Sequence, residues 1–143
     1  MLFGKRERAI RRIVVVEDEP LVAFDNEHML RDAGYEVVAT VDNLADAARV
    51  IGEEDDLHLV MTDLSLNGDG NGMDVARAAA AKGVPVLFVT ATCPEEAQTL
   101  GIGCLAKPYS AKAMKAALDA LDRTLQGQPV KKLPAGLSLY ERV

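Results

Sequence analysis

Leu59-Val60-Met61-Thr62-Asp63-Leu64 is the stretch whose reading decides the fold. Apolar residues and one threonine lead directly to a single carboxylate. A short continuous apolar run reads as a strand buried on both faces, as in a parallel sheet. Such a strand delivers its last residue to the carboxyl edge of the sheet, where open α/β folds bind ligands. One Asp after an apolar run also has an ordinary turn-forming explanation. The weight therefore rests on what else reaches that edge. Ile13-Val14-Val15-Val16 ends in Glu17-Asp18, the run from Val84 ends in Thr90, and Ile102 to Ala106 ends in Lys107.

Helical patterns separate these runs. Pro20 suits a first helical position, and Leu21, Val22, Met29, Leu30 and Ala33 give that helix an apolar side closed by Gly34. Tyr35 to Val41 is a strand, and Asp42 or Asn43 caps a helix carrying Leu44, Ala47, Ala48 and Ile51, ended by Gly52. The loop Leu64 to Gly72 precedes a helix from about Met73 to Lys82, and Ser110 caps a long last helix with Met114, Ala117, Leu118, Leu121 and Leu125 on one side. Strand and helix alternate five times. The expectation is an α/β domain with a doubly wound, five-stranded parallel sheet covered on both faces.

The chain has 143 residues, 49% of them hydrophobic, and a formal charge of −6. That fits one domain with a real core, and neither a disordered chain nor one that coats nucleic acid. No apolar run approaches a membrane span, and no secretory h-region precedes the first strand, so a cytoplasmic location and no membrane insertion are expected. Residues 1–11, with Lys5, Arg6, Arg8 and Arg11, read as a basic, solvated lead-in, residues 12–126 as the domain, and 127–143 as a tail. The tail carries Leu133, Leu137, Leu139 and Tyr140, which leaves three options: packing back, ordering on a partner, or mobility. Cys93 and Cys104 read as two small buried hydrophobes, with no disulfide framework and too few ligands for zinc. His28 reads as a surface residue and His58 as structural. Asn67, Asp69, Asn71 and Gly72 imitate part of a calcium loop, but Ala78 stands where the bidentate Glu belongs. Gly101, Gly103 and Ala106 satisfy a dinucleotide pattern without the strand before it or the helix after it.

Four ends of one parallel sheet would gather Glu17, Asp18, Asp63, Thr90 and Lys107. Three carboxylates at one place repel and call for a cation, and oxygen ligands with room for water describe Mg²⁺. A carboxylate held there can attack a phosphoryl group in line and become an aspartyl phosphate. Such a transfer needs positioning and charge neutralisation more than acid–base work. Lys107 offers a point charge with three donors, Thr90 a hydroxyl donor, and the backbone carbonyl of Ser65 a further metal ligand.

Together, Glu17-Asp18, Asp63, Thr90-Ala91 and Lys107-Pro108 resemble the receiver domain of bacterial two-component response regulators. The resemblance covers about residues 12–126. It implies a flavodoxin-like strand order 2-1-3-4-5, Asp63 as phosphoacceptor, Glu17 and Asp18 as the acidic pair around Mg²⁺, Thr90 as switch hydroxyl, Lys107 as the phosphate-pairing lysine, and a cis bond before Pro108. Phe88-Val89-Thr90, with Asn67 in place of the usual proline and Cys104 in place of the usual aromatic, is similar to the atypical FAT GUY subgroup of alphaproteobacterial stress signalling. That subgroup continues with glycine and tyrosine, where this chain has Ala91-Thr92-Cys93. Thr90 and Lys107 are only 17 positions apart, so the fourth helix should be shortened.

The reading is a stand-alone receiver in phosphorelay signalling, not an enzyme that turns over separate substrates. A sensor histidine kinase or phosphotransfer protein would supply the phosphoryl group, and an unidentified downstream protein would take the output. Competing readings are a small Mg²⁺-dependent phosphohydrolase, disfavoured by Ser65 two positions after Asp63, and a receiver-like binding module that is never phosphorylated. A flavin carrier ranks last, because Glu17-Asp18-Glu19 would repel a flavin phosphate.

Overall fold

The structure, a computed structural model, describes residues 7–140. Lys5 and Arg6 of the expected lead-in, and residues 141–143 of the expected tail, lie outside them. Strand β1 (Arg12–Val16) is followed by helix α1 (Pro20–Asp32), β2 (Glu36–Val41), α2 (Leu44–Glu53), β3 (Leu59–Thr62), α3 (Gly72–Ala81) and β4 (Val86–Thr90). A 3₁₀ turn (Glu95–Thr99), β5 (Gly103–Ala106), α4 (Ala111–Leu125) and β6 (Leu137–Leu139) complete the order. The fourth crossover is thus reduced to the 3₁₀ turn, as the short Thr90–Lys107 spacing predicts.

The first five strands run parallel in the order β2-β1-β3-β4-β5, and β6 adds to β5 antiparallel. Among the described residues the sheet therefore has six strands, not five. The tail packs back as β6: Ala106 N–H donates to the Gly136 carbonyl at 2.9 Å and Tyr140 N–H to the Ile102 carbonyl at 3.0 Å. Gly103 makes this approach possible, since a Cβ there would lie 2.9 Å from the Ser138 carbonyl oxygen.

Alternation along each strand produces the two-sided core. Ile13, Val15, Leu59, Met61, Leu87, Val89 and Leu105 face α1 and α4, where Leu30, Met114, Leu118 and Leu121 meet them. Val14, Val16, Val60, Val86, Phe88 and Cys104 face α2 and α3, against Ala47, Ile51, Val75, Ala76 and Ala79. This is why the strands read as unbroken apolar runs. Asn43, Asn71 and Ser110 cap their helices through side-chain oxygens, and Asn71 with Asp74 forms a reciprocal capping box. The polar residues that imitate a calcium loop are in part a helix start.

Several expectations need correction. Gly52 lies inside α2, which runs on to Glu53. Leu21, assigned to the apolar side of α1, is 80% exposed, while Asn26 on the same helix is buried. The lead-in is not simply solvated, because Ile10 is fully buried and its N–H donates to Asp122 Oδ2 at 2.8 Å. Ala9 N–H reaches Asp122 Oδ1 at 3.2 Å. Asp122 is a buried carboxylate on α4 that fastens the start of the chain. His58 is structural, its Nδ1 accepting from the N–H groups of Arg11 and Arg12 at 3.0 Å each. Cys93 and Cys104 form a disulfide, Cα atoms 6.1 Å apart; the sequence, read as two free thiols, holds no sign of this proximity.

Gly72 opens α3 directly against the end of β3: a Cβ there would lie 2.2 Å from the Asp63 carbonyl oxygen. Gly72→Ala must push these backbones apart and is expected to cost about 1–3 kcal/mol, read by urea denaturation. An unchanged midpoint would show that the loop absorbs the methyl group. Asp122→Ala strands the backbone N–H groups of Ala9 and Ile10 and should cost about 2 kcal/mol. A loss below about 0.5 kcal/mol would mean the start of the chain is not held by that carboxylate.

Candidate functional site

The site residues reach one edge because their strands are neighbours in register. Asp63 continues β3, and its N–H donates to the Val16 carbonyl of β1 at 3.0 Å. Glu17 continues β1 and donates to the Val41 carbonyl of β2 at 2.9 Å. Thr90 ends β4 opposite Ala106, and Lys107 N–H donates to the Thr90 carbonyl at 2.8 Å. The Lys107–Pro108 bond is cis, as the resemblance implies.

Lys107 Nζ bridges two carboxylates. It donates to Asp63 Oδ2 at 2.6 Å and to Glu17 Oε1 at 2.7 Å. Glu17 is 1% exposed and Asp63 8%. Asp63 Oδ1 accepts from Ser65 N–H at 3.2 Å, and Glu17 Oε2 from Glu19 N–H at 3.1 Å. Burial raises the Glu17 carboxyl above its ordinary range, and the hydrogen bond from Lys107 only partly offsets this. Burial pulls the Lys107 ammonium down, but its hydrogen bonds to Asp63 and Glu17 outweigh that and hold it above its ordinary value. Lys107 therefore stays charged across the neutral range.

One carboxylate oxygen from each of Glu17, Asp18 and Asp63 lies within 4.8 Å of the others. This all-oxygen donor set is the chemistry of a hard divalent cation, so the residues present fit Mg²⁺. Ser65 meets Asp63 through its N–H, and Ser65 itself is exposed. Thr90 is brought to the edge and buried, but among the described residues its hydroxyl makes no hydrogen bond.

Two features beside the site escape a reading of the sequence. Tyr109, two residues after Lys107, donates to buried Asn26 of α1 at 2.7 Å, and burial pushes its phenol up to about 12. The pair pins the turn after Lys107 onto α1. A polar residue among the apolar positions of α1 was the available signal. The second is the Cys93–Cys104 bond, which joins the segment after Thr90 to the strand before Lys107.

Among the described residues, no helix is long and apolar enough to cross a membrane. The family model described as the response regulator receiver domain matches residues 13–119. The phyllosphere-induced regulator PhyR of Methylorubrum extorquens is 30% identical over 80 residues, which is 55% of this chain but 30% of that protein. The receiver domain of a sensor histidine kinase from Pseudomonas aeruginosa, described with a magnesium ion coordinated in its active-site cleft, superposes with a TM-score of 0.67. It is 25% identical, over 78% of this chain and 96% of that one. The anti-anti-sigma factor PhyR from Bartonella quintana shares the fold at a TM-score of 0.68 and 23% identity, over 85% of this chain and 51% of that one. With the strand order, the acidic edge and most of its length matched, the chain belongs to the response regulator receiver domain family.

Proposed function

We infer that this chain is a phosphoryl-accepting signal receiver with Asp63 as acceptor. One observation carries the reading: Lys107 Nζ sits 2.6 Å from Asp63 Oδ2 and 2.7 Å from Glu17 Oε1 at the carboxyl edge of the sheet. That places a fixed positive charge beside the one carboxylate that ends the central strand β3. In the transfer, an Asp63 carboxylate oxygen attacks the phosphorus of a phosphohistidine on a sensor kinase or phosphotransfer protein. The O–P bond forms as the P–N bond breaks, and the departing imidazole takes a proton. Lys107 is in reach of the incoming phosphoryl oxygens, and the unengaged Thr90 hydroxyl on the neighbouring strand is available to donate to another. Glu17, Asp18, Asp63 and the Ser65 carbonyl would hold Mg²⁺, which when bound neutralises part of the phosphoryl charge.

The phosphoryl group adds a charge of roughly −1.5 to −2, and output follows from altered protein contacts. The description of one relative as an anti-anti-sigma factor supports a protein as the downstream partner. The chain acts on itself and turns over no separate substrate. Ser65 stands two positions after Asp63, where a phosphohydrolase of this kind would need a second acid.

Intact-mass analysis after incubation with acetyl phosphate tests the reading. One phosphoryl group should add to the wild type with Mg²⁺, and none with EDTA or in Asp63→Ala. Labelling of Asp63→Ala at the wild-type level would overturn the assignment.

The pH dependence has a sign of its own. The folded Glu17 carboxyl lies above its unfolded value, so the metal-free fold binds more protons there than the unfolded chain. Its contribution to stability grows as pH falls through the raised pKa. Mg²⁺ needs the carboxylate ionised, so stabilisation by Mg²⁺ changes in the opposite direction. The rise in Tm on adding Mg²⁺ should be full at neutral pH and shrink as pH falls through the raised Glu17 pKa. A Mg²⁺-induced rise that does not change with pH through the acid range would place the ion away from Glu17.

A further inference from the structure

The connection between β4 and β5 has few ties to the rest of the fold. Among the described residues, the hydrogen bonds made by residues 91–100 stay within that segment and Gly101. Ala97 and Leu100 pack into the core face shared with α2 and α3. The remaining anchor is covalent. Cys93, three residues after Thr90, is bonded to Cys104, three residues before Lys107. Cys104 is fully buried in β5. Cys93 is half-buried and lines an open cavity of about 410 Å³, together with Pro94, Glu95, Gln98 and, from the tail, Leu139 and Tyr140. Cys93 is therefore the more accessible end of the bond, and Cys104 the shielded one.

We propose that Cys93–Cys104 is a site of reversible thiol–disulfide exchange with a dithiol reductant, and that its redox state sets the freedom of the segment after Thr90. A thiolate of the reductant attacks Cys93 Sγ, the Cys93–Cys104 bond breaks, and Cys104 leaves as a thiolate that takes a proton. The second thiolate of the reductant then attacks its own sulfur in the mixed disulfide and releases Cys93. Two electrons and two protons pass to the protein, and the reductant ends as a cyclic disulfide. In the oxidised protein, Cys93 ties the segment after Thr90 to β5, the strand that leads into Lys107. In the reduced protein the segment keeps its apolar contacts through Ala97 and Leu100 but loses the covalent tie, and the Thr90 hydroxyl is freer to follow a phosphoryl group on Asp63. This last consequence rests on the proposed function; the loosening of the segment does not.

The test compares oxidised wild type, wild type reduced with dithiothreitol, and Cys93→Ser, which removes the more accessible sulfur and leaves Cys104 in its core position. Alkylation and intact mass count the free thiols. Hydrogen–deuterium exchange follows residues 91–101, and acetyl phosphate with Mg²⁺ supplies phosphoryl uptake. The expected result is no free thiol in the oxidised protein and two after reduction. Exchange across 91–101 and phosphoryl uptake should each be about fivefold or more faster in the reduced protein. Cys93→Ser should match the reduced protein and ignore dithiothreitol. Two free thiols under glutathione disulfide, or equal exchange at 91–101 in both redox states, would overturn the proposal, as would a Cys93→Ser variant that still responds to reductant. If no state takes up phosphoryl, the assignment of Asp63 fails by itself, and the exchange measurement still decides the role of the disulfide.

Discussion

The structure depends on one ammonium group placed between two buried carboxylates. Lys107 joins Glu17 and Asp63, which sit on adjacent strands with almost no access to water. Removing one partner of a buried pair typically costs about 3–5 kcal/mol, and Lys107 serves two. Such a cluster is a poor way to gain stability, because desolvation offsets much of the attraction. Its presence at a sheet edge where ligands bind is evidence of chemistry. Burial holds the Glu17 carboxyl above its ordinary range, and the hydrogen bond from Lys107 offsets this only in part. In the proposed function, a divalent cation would supply the positive charge that Glu17, Asp18 and Asp63 lack.

The scaffold exists to hold that edge. Because successive residues alternate between two helical layers, each central strand is apolar throughout and stops where its polar residue meets the rim. Backbone bonds from Asp63 to Val16 and from Lys107 to Thr90 carry the ladder one step past the apolar runs. Gly72 lets α3 start against the same backbone, and Tyr109 with Asn26 fixes the turn on the other side of Lys107. The charged groups are set by rigid elements, whereas the segment after Thr90 is lightly held.

The parallel core and the convergence of Glu17, Asp18, Asp63, Thr90 and Lys107 were legible because both follow from one rule: buried strands read as apolar runs, and their last residues share an edge. The reduced fourth crossover was legible from chain length between Thr90 and Lys107. What escaped depends on contacts distant in sequence. Leu137–Leu139 is too short and too close to Pro134 and Gly136 to announce a strand, and it forms only because β5 offers an open edge and Gly103 offers room. The Cys93–Cys104 pairing requires the loop to fold back on β5, which spacing alone does not reveal. Ile10 and Asp122 meet across almost the whole chain. Leu21 misled for a local reason: it lies about two and a half turns from buried Leu30, which puts it on the opposite, exposed side of α1.

The most direct measurement of the central claim is chemical trapping of the phosphorylated residue. Sodium borohydride converts an aspartyl phosphate to homoserine, and peptide mapping then locates the change. After phosphotransfer from a histidine kinase or acetyl phosphate in Mg²⁺, the account predicts homoserine at position 63 alone. Homoserine at position 18, or none despite a stable mass increase, would contradict it.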